Sequence, residues 1–210
     1  MKLLLTILLA LISFTAAAEP QLGVEYISSQ QAIPTENPTK IEVVELFWYG
    51  CPHCYVLDPQ LSAWVRKLPK DVEFKRLPGI ARPEWVPGAK AFYAMETLNL
   101  TEKLHSALFA AIHKQKVINP SDDAGLVDWI TKQGGLDRKK VEEAYNSFSA
   151  NTKVMHAAQV FRNSGATGVP TLMIEGKYLT SSTIAGGNDE ALKAADYLIE
   201  KARKEKAGKR

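Results

Sequence analysis

Cys51 and Cys54 are the only cysteines among 210 residues, and they stand three apart in WYGCPHCYVLDP, residues 48–59. A lone thiol pair at that spacing can serve three kinds of chemistry. As a structural staple it would close a very small loop, and the entropy a disulfide removes from the unfolded chain grows with loop length, so little is gained. As a zinc site it offers two ligands where four are usual, and His53, His105, His113 and His156 make no second cluster in the sequence. As a redox pair it needs one activated sulfur and one sheltered sulfur, and the flanking residues supply that asymmetry.

With Cys51 as the N-cap of a helix, Pro52 falls at the first helical position, where its missing N–H costs nothing. The free N–H groups of His53 and Cys54 then point at the Cys51 sulfur. The helix dipole and a positive charge on His53 favour a thiolate further, so the Cys51 pKa should fall well below that of a free thiol. Cys54 lies one turn inward on the apolar stripe Cys54, Leu57, Leu61, Trp64 and Leu68, and should stay buried and protonated. An exposed low-pKa sulfur is both a good leaving group and an accessible target, and a buried second thiol resolves the mixed disulfide. A depression of about 3 units favours the reduced, ionised form by about 4 kcal/mol, or roughly 90 mV for two electrons.

Two further features converge on this pair. Glu45 interrupts an apolar strand six residues before Cys51, where a carboxyl partly buried beneath the dithiol would relay a proton to or from Cys54. Glu42, in the same strand, reads equally well as a residue reaching solvent. In TGVPTLMIEGKY, residues 167–178, Pro170 precedes a β run and cannot donate to a ladder, so it belongs at a strand start. A cis Val169-Pro170 bond would present the Val169 backbone to an incoming peptide, whereas a trans bond would make an ordinary turn.

The elements that must position these residues follow from periodicity. Ile41 to Tyr49 is a β-branched and aromatic run that reads as a buried strand ending at Gly50, with a shorter strand at Gly23 to Ile27 before it. The helix that starts at the cysteines carries Pro59 inside it, which should kink rather than end it. Val72 to Leu77 reads as a second core strand closed by Pro78-Gly79. From Arg82 to Ala166 the pattern is helical: Thr101 opens one run, Asn119-Pro120-Ser121 ends one helix and caps the next, and Gly134-Gly135 with Asp137 repeats the break. Leu126, Val127 and Ile130, then Val141, Ala144, Tyr145 and Phe148, supply apolar faces. Thr171 to Glu175 and Tyr178 to Thr183 form a hairpin about Gly176-Lys177, and Asn188 to Lys206 the closing helix. The fold class is α/β with a helical insertion.

The first residues read as an export signal: Lys2, the apolar run Leu3 to Phe14, and Ala16-Ala17-Ala18 before Glu19. The run is too short for a membrane span, so cleavage after Ala18 is expected, into a space where disulfides persist. The formal charge is +3. Lys2 lies in the leader and the last ten residues hold six cations against Glu205, which leaves residues 19–200 at −3. The basic end carries no aromatic residue for stacking on bases, which argues against nucleic acid.

Cys51-Pro52-His53-Cys54 after ELFWYG, with GVPTLMIEGKY downstream, closely resembles the DsbA family of bacterial thiol:disulfide oxidoreductases. The resemblance implies a thioredoxin fold with an inserted helical domain. Its division is a signal peptide at 1–18, a thioredoxin-like domain at 19–81 and 166–206, the insertion at 82–165 and a basic tail at 207–210. It implies periplasmic oxidation of newly exported, unfolded or folding proteins by a monomer, without metal or organic cofactor. Cys51 is then the attacked sulfur, Pro52 and His53 tune it, Val169 and cis Pro170 hold substrate, and a DsbB-like quinone-linked membrane partner restores the disulfide. Lys75 is the candidate for the lysine that pairs with the buried glutamate in thioredoxin folds. Trp48 and Tyr49 offer an apolar docking surface or are lost to the core, and His105, His113 and His156 read as helix-surface residues. A reductase or isomerase is the alternative, although such enzymes usually add a dimerisation domain and no segment here reads as one. A non-redox peptide-binding chaperone or metal carrier is the remaining alternative.

Overall fold

The computed structural model describes residues 19–208; the expected signal peptide at 1–18 and the last two residues of the basic tail lie outside them. β2 (Ile41–Phe47) is buried along its whole length. It pairs in parallel with β3 (Val72–Pro78) and antiparallel with β4 (Thr171–Ile174), while β5 (Tyr178–Thr180) and the short β1 (Ile27–Ser28) extend the sheet beyond β4. The strand order is β1-β5-β4-β2-β3.

Because side chains alternate along a strand, β2 feeds two layers at once. Ile41 and Val43 pack with Leu57 and Leu61 of α1 (Pro52–Val65) and with Leu198 and Ile199 of α8 (Asn188–Ala207). Val44 and Leu46 face the other way, onto Val160 and Phe161 of α6 (Phe148–Ser164). Between β3 and β4 the chain runs through a 3₁₀ turn (Pro83–Trp85) and then α2 (Val86–Thr97), α3 (Thr101–His113), α4 (Asp123–Gly134), α5 (Arg138–Tyr145) and α6. Their core, including Phe92, Leu108, Phe109, Leu126, Ile130 and Tyr145, is continuous with Phe47 and Tyr49. Each such side chain stabilises the fold by about 1.5–3 kcal/mol on full burial. The helical layer is thereby anchored over the end of β2 from which the cysteines emerge.

Several expectations are corrected. β2 stops at Phe47, two residues early, because the Cys51 N–H closes a turn on the Trp48 carbonyl at 3.0 Å and hands the chain to α1. β3 is an edge strand, half-exposed through its middle, rather than a second core strand. The first strand is Ile27–Ser28, preceded by a turn at Gly23. Asp122, not the Asn119-Pro120-Ser121 triplet, caps α4. Gly135 and Asp137 end α4 and cap α5 as expected. Phe148 is 86% exposed, because Ser147 caps α6 and turns its first residue to solvent. The hairpin strand ends at Thr180, where Ser181 caps a short α7 (Ser182–Ala185). The hairpin turn has φ of 53° at Glu175 and 61° at Gly176, and a Cβ on Gly176 would lie 1.9 Å from the Ile33 carbonyl oxygen, so only glycine fits.

Candidate functional site

Cys51 is the N-cap of α1, in extended conformation, and its sulfur accepts a hydrogen bond from the Cys54 N–H at 3.4 Å. Pro52 takes the first helical position, and no acidic residue occupies the first turn to compete for the free N–H groups. The hydrogen bond from the Cys54 thiol, then those from the Cys54 and His53 backbone and the charge of His53, draw the Cys51 pKa down from 9.0 to about 6 against the opposing effect of burial. Burial, followed by the hydrogen bond to Cys51 and the negative charges of Cys51 and Glu45, pushes Cys54 well above 9.0. Both cysteines are free thiols. The expected exposure of Cys51 is corrected: it is only 8% exposed. Its thiol donates to the Val169 carbonyl at 3.3 Å, and that loop covers it. The Val169-Pro170 bond is cis, and Pro170 immediately precedes β4. A cleft of about 200 Å³ runs beside it, lined by Ile27, Val169, Pro170, Thr171, Leu179 and Ile184 among others. His53 is exposed on the rim.

Glu45 is 1% exposed. Its Oε2 accepts from Arg76 Nε at 3.1 Å, and its Oε1 has no hydrogen-bond partner. Burial raises its pKa to about 7, with Arg76 opposing and the charges of Asp58 and Cys51 adding to the rise. Lys75 is not its partner. The parallel register sets Arg76 opposite Glu45 and Lys75 opposite Val44, so Lys75 points to the other face and bonds Glu42 at 2.9 Å and Glu36 at 2.7 Å. Glu42 is therefore a buried, paired carboxylate rather than a solvent-reaching one.

The same region holds groups that sequence reasoning passed over. Asp58, 4% exposed, accepts from Ser106 Oγ at 2.6 Å and lies 3.6 Å from an Arg76 nitrogen. One signal for it was available: Asp58 stands four residues after Cys54, on the same helical face. His105 and His113 are not surface residues. His105 is 4% exposed with Nδ1 2.8 Å from the Tyr49 hydroxyl, and His113 Nε2 bonds the Tyr49 carbonyl at 2.7 Å. His156 is exposed, as expected. Tyr49 belongs to the core, while the half-buried Trp48 stacks on Trp85 with ring centroids 4.4 Å apart. Gly50 makes room for it, since a Cβ there would come within 2.4 Å of the indole.

Cys51, Pro52, His53, Cys54, Glu45, Val169 and Pro170 thus gather at the head of α1, the end of β2 and the loop before β4. Among the described residues no helix is long and apolar enough to cross a membrane.

Residues 81–198 match the DSBA-like thioredoxin domain. The chain is 41% identical to the thiol:disulfide interchange protein DsbA of Pseudomonas aeruginosa over 96% of its length and 97% of that protein's. It is 37% identical to the Burkholderia cepacia protein of the same name, over 98% of this chain and 99% of that one. The crystal structure of Pseudomonas aeruginosa DsbA superposes with a TM-score of 0.82 at 40% identity, covering 90% of this chain and 96% of that one. The oxidoreductase DsbA from Xylella fastidiosa does so with 0.83 at 27% identity, covering 89% and 99%. The architecture is a thioredoxin fold carrying additional helices between β3 and β4.

Proposed function

The chain belongs to the DsbA family of thiol:disulfide oxidoreductases, and from that premise we propose that it donates the Cys51–Cys54 disulfide to newly exported proteins in the periplasm, acting as a monomer. The observation that carries this reading is the placement of the thiols: Cys51 caps α1 and accepts from the Cys54 N–H at 3.4 Å, which draws its pKa down to about 6, while Cys54 is fully buried one turn inward, which pushes its pKa up. A substrate thiolate attacks Cys51 Sγ, the Cys51–Cys54 bond breaks, and Cys54 leaves as a thiolate that takes a proton from Glu45. A second substrate thiolate then attacks the substrate sulfur of the mixed disulfide, and Cys51 departs as a thiolate stable at neutral pH. Substrate gains the disulfide and this protein is left with two reduced sulfurs. A DsbB-like quinone-linked membrane protein takes back the two electrons.

At pH 7 the depression of the Cys51 pKa favours the reduced form by about 1.4 kcal/mol, or roughly 30 mV, and more as pH rises. In this reading Pro52 and His53 tune Cys51, the Val169–Pro170 segment and its cleft receive extended substrate, and residues 82–165 form the inserted unit. Replacing Cys54 by Ser tests the cycle. With oxidised resolving chemistry removed, Cys51 activated by an aromatic disulfide should trap a reduced, unfolded protein as a stable mixed disulfide, visible as a reductant-sensitive adduct on a gel. No adduct through Cys51, together with undiminished activity of Cys51→Ser, would instead support a peptide-binding role.

A further inference from the structure

Between the end of β2 and the head of α1 the chain makes one tight turn, Trp48-Tyr49-Gly50-Cys51, closed by the Cys51 N–H on the Trp48 carbonyl at 3.0 Å. Its two flanks are held by backbone. The Gly79 N–H bonds the Phe47 carbonyl at 2.7 Å, and the Tyr55 N–H bonds the Cys51 carbonyl at 3.2 Å. The peptide in the middle, the Tyr49 carbonyl with the Gly50 N–H, has no backbone partner among the described residues. Its carbonyl accepts instead from His113 Nε2 at 2.7 Å, across 64 residues of sequence. A carbonyl oxygen can only accept, so Nε2 carries a hydrogen whatever form the ring takes.

The middle peptide is the part of such a turn that can rotate. Turning it over converts type I into type II with the closing hydrogen bond kept, provided the third residue takes a positive φ. Glycine does so without strain. Gly50 is that third residue, yet it lacks the positive φ that Gly135, Gly165 and Gly176 have. The residues of the turn thus permit the flipped form, and the structure holds the other. The His113 bond opposes the flip, which would carry the Tyr49 oxygen to the opposite side. His113 is itself fixed from beyond the dithiol: its ring stacks on Tyr55, one residue after Cys54, with centroids 5.2 Å apart and planes at 16°. One side chain from the last turn of α3 therefore meets both flanks of the Cys51–Cys54 segment. Tyr49 and Gly50 directly precede the cap, so their torsions set where Cys51, at φ −85° and ψ 116°, stands over the Cys54 N–H.

We propose that His113 is a positioning residue for Cys51: its bond to the Tyr49 carbonyl locks the turn before the cap in one form and so keeps the Cys51 sulfur seated on the N–H groups at the head of α1. The proposal rests on the reading of Cys51 as an activated thiolate. It gives the helical layer between β3 and β4 a share in the reactivity of the dithiol.

The test is titration of the Cys51 thiolate by its ultraviolet absorbance in the reduced full protein, together with the equilibrium constant against glutathione. His113→Phe keeps a ring for Tyr55 and loses the donor. The Cys51 midpoint should then rise from about 6 by roughly one pH unit, the scale of one capping hydrogen bond. At pH 7 the ionised fraction falls from about nine-tenths to about half, and the equilibrium with glutathione shifts about fivefold toward the oxidised protein. His113→Gln sets an amide N–H as many bonds from the backbone as Nε2 and should restore the wild-type midpoint. His113→Asn, whose amide reaches only as far as Nδ1, should not. The charged groups that act on Cys51, His53 of α1 and Glu45 of β2, are unchanged throughout, and Gln and Asn are both neutral, so a difference between those two variants comes from reach. The same pair keeps the test open if His113→Phe does not fold. An unmoved midpoint in His113→Phe, or Gln and Asn variants displaced alike, overturns the proposal with the wild type still near 6. A wild-type Cys51 that itself titrates near 9.0 overturns the thiolate reading and this proposal with it, a distinct failure.

Discussion

Cys51→Ser should remove a pH-dependent part of the stability of the reduced protein. The Cys51 thiol falls from 9.0 to about 6 on folding. An acid whose folded pKa is depressed adds stability that is complete above the unfolded value and disappears as pH falls through the folded one. Between pH 5 and pH 8, linkage with these two values gives about 2.5 kcal/mol gained by the wild type and absent from Cys51→Ser, whose hydroxyl does not ionise. Cys54, raised rather than lowered, contributes little below pH 8 because its unfolded form is still protonated there. Urea unfolding in a phosphine reductant measures the effect. With a denaturant slope of about 2–3 kcal/mol/M, the wild-type midpoint should gain about 1 M over the variant between the two pH values. Parallel pH curves for the two proteins would refute the account of Cys51 as a thiolate stabilised by the head of α1.

Glu45→Gln should slow the Cys54-dependent resolution of a mixed disulfide by on the order of 10²-fold above pH 7, with the attack of small thiols on Cys51 affected far less; rapid-quench kinetics separates the two. Arg76→Met leaves Glu45 and Asp58 without their shared cation and should cost about 3–5 kcal/mol at pH 8. The cost should shrink at pH 5, where the folded Glu45, with its value of about 7, is protonated in both proteins and no longer leaves a buried charge unpaired; urea melts at both pH values check it. Gly176→Ala forces a Cβ to 1.9 Å from the Ile33 carbonyl and a non-glycine residue to φ 61°, and should destabilise by more than about 1 kcal/mol in a thermal melt.

The dithiol, its helix and the strand before it were legible because the decisive residues are local: a proline at the first helical position, an apolar stripe at helical spacing, a β-branched run ending in glycine. Arg76 was not. Choosing between Lys75 and Arg76 needs the register of β2 against β3, which brings together residues 31 apart, and a one-residue slip exchanges the faces. His105 was misread because polar residues in an amphipathic helix usually lie outside. Here α3 is enclosed widely enough to bury Leu104, His105, Leu108 and Phe109 together, and the hydroxyl that bonds His105 Nδ1 comes from Tyr49, outside α3. The cover over Cys51 was equally invisible, since it is made by Val169, 118 residues away. Phe148 failed in the opposite sense, because a cap at Ser147 reset the helical phase.

The reduction potential of the Cys51/Cys54 pair, taken from equilibration in glutathione buffers with Trp fluorescence as the signal, tests most directly whether this chain gives disulfides away. The account predicts a value well above about −180 mV, among disulfide donors. A value near about −270 mV would mark a reductant and contradict it, while leaving the fold as described.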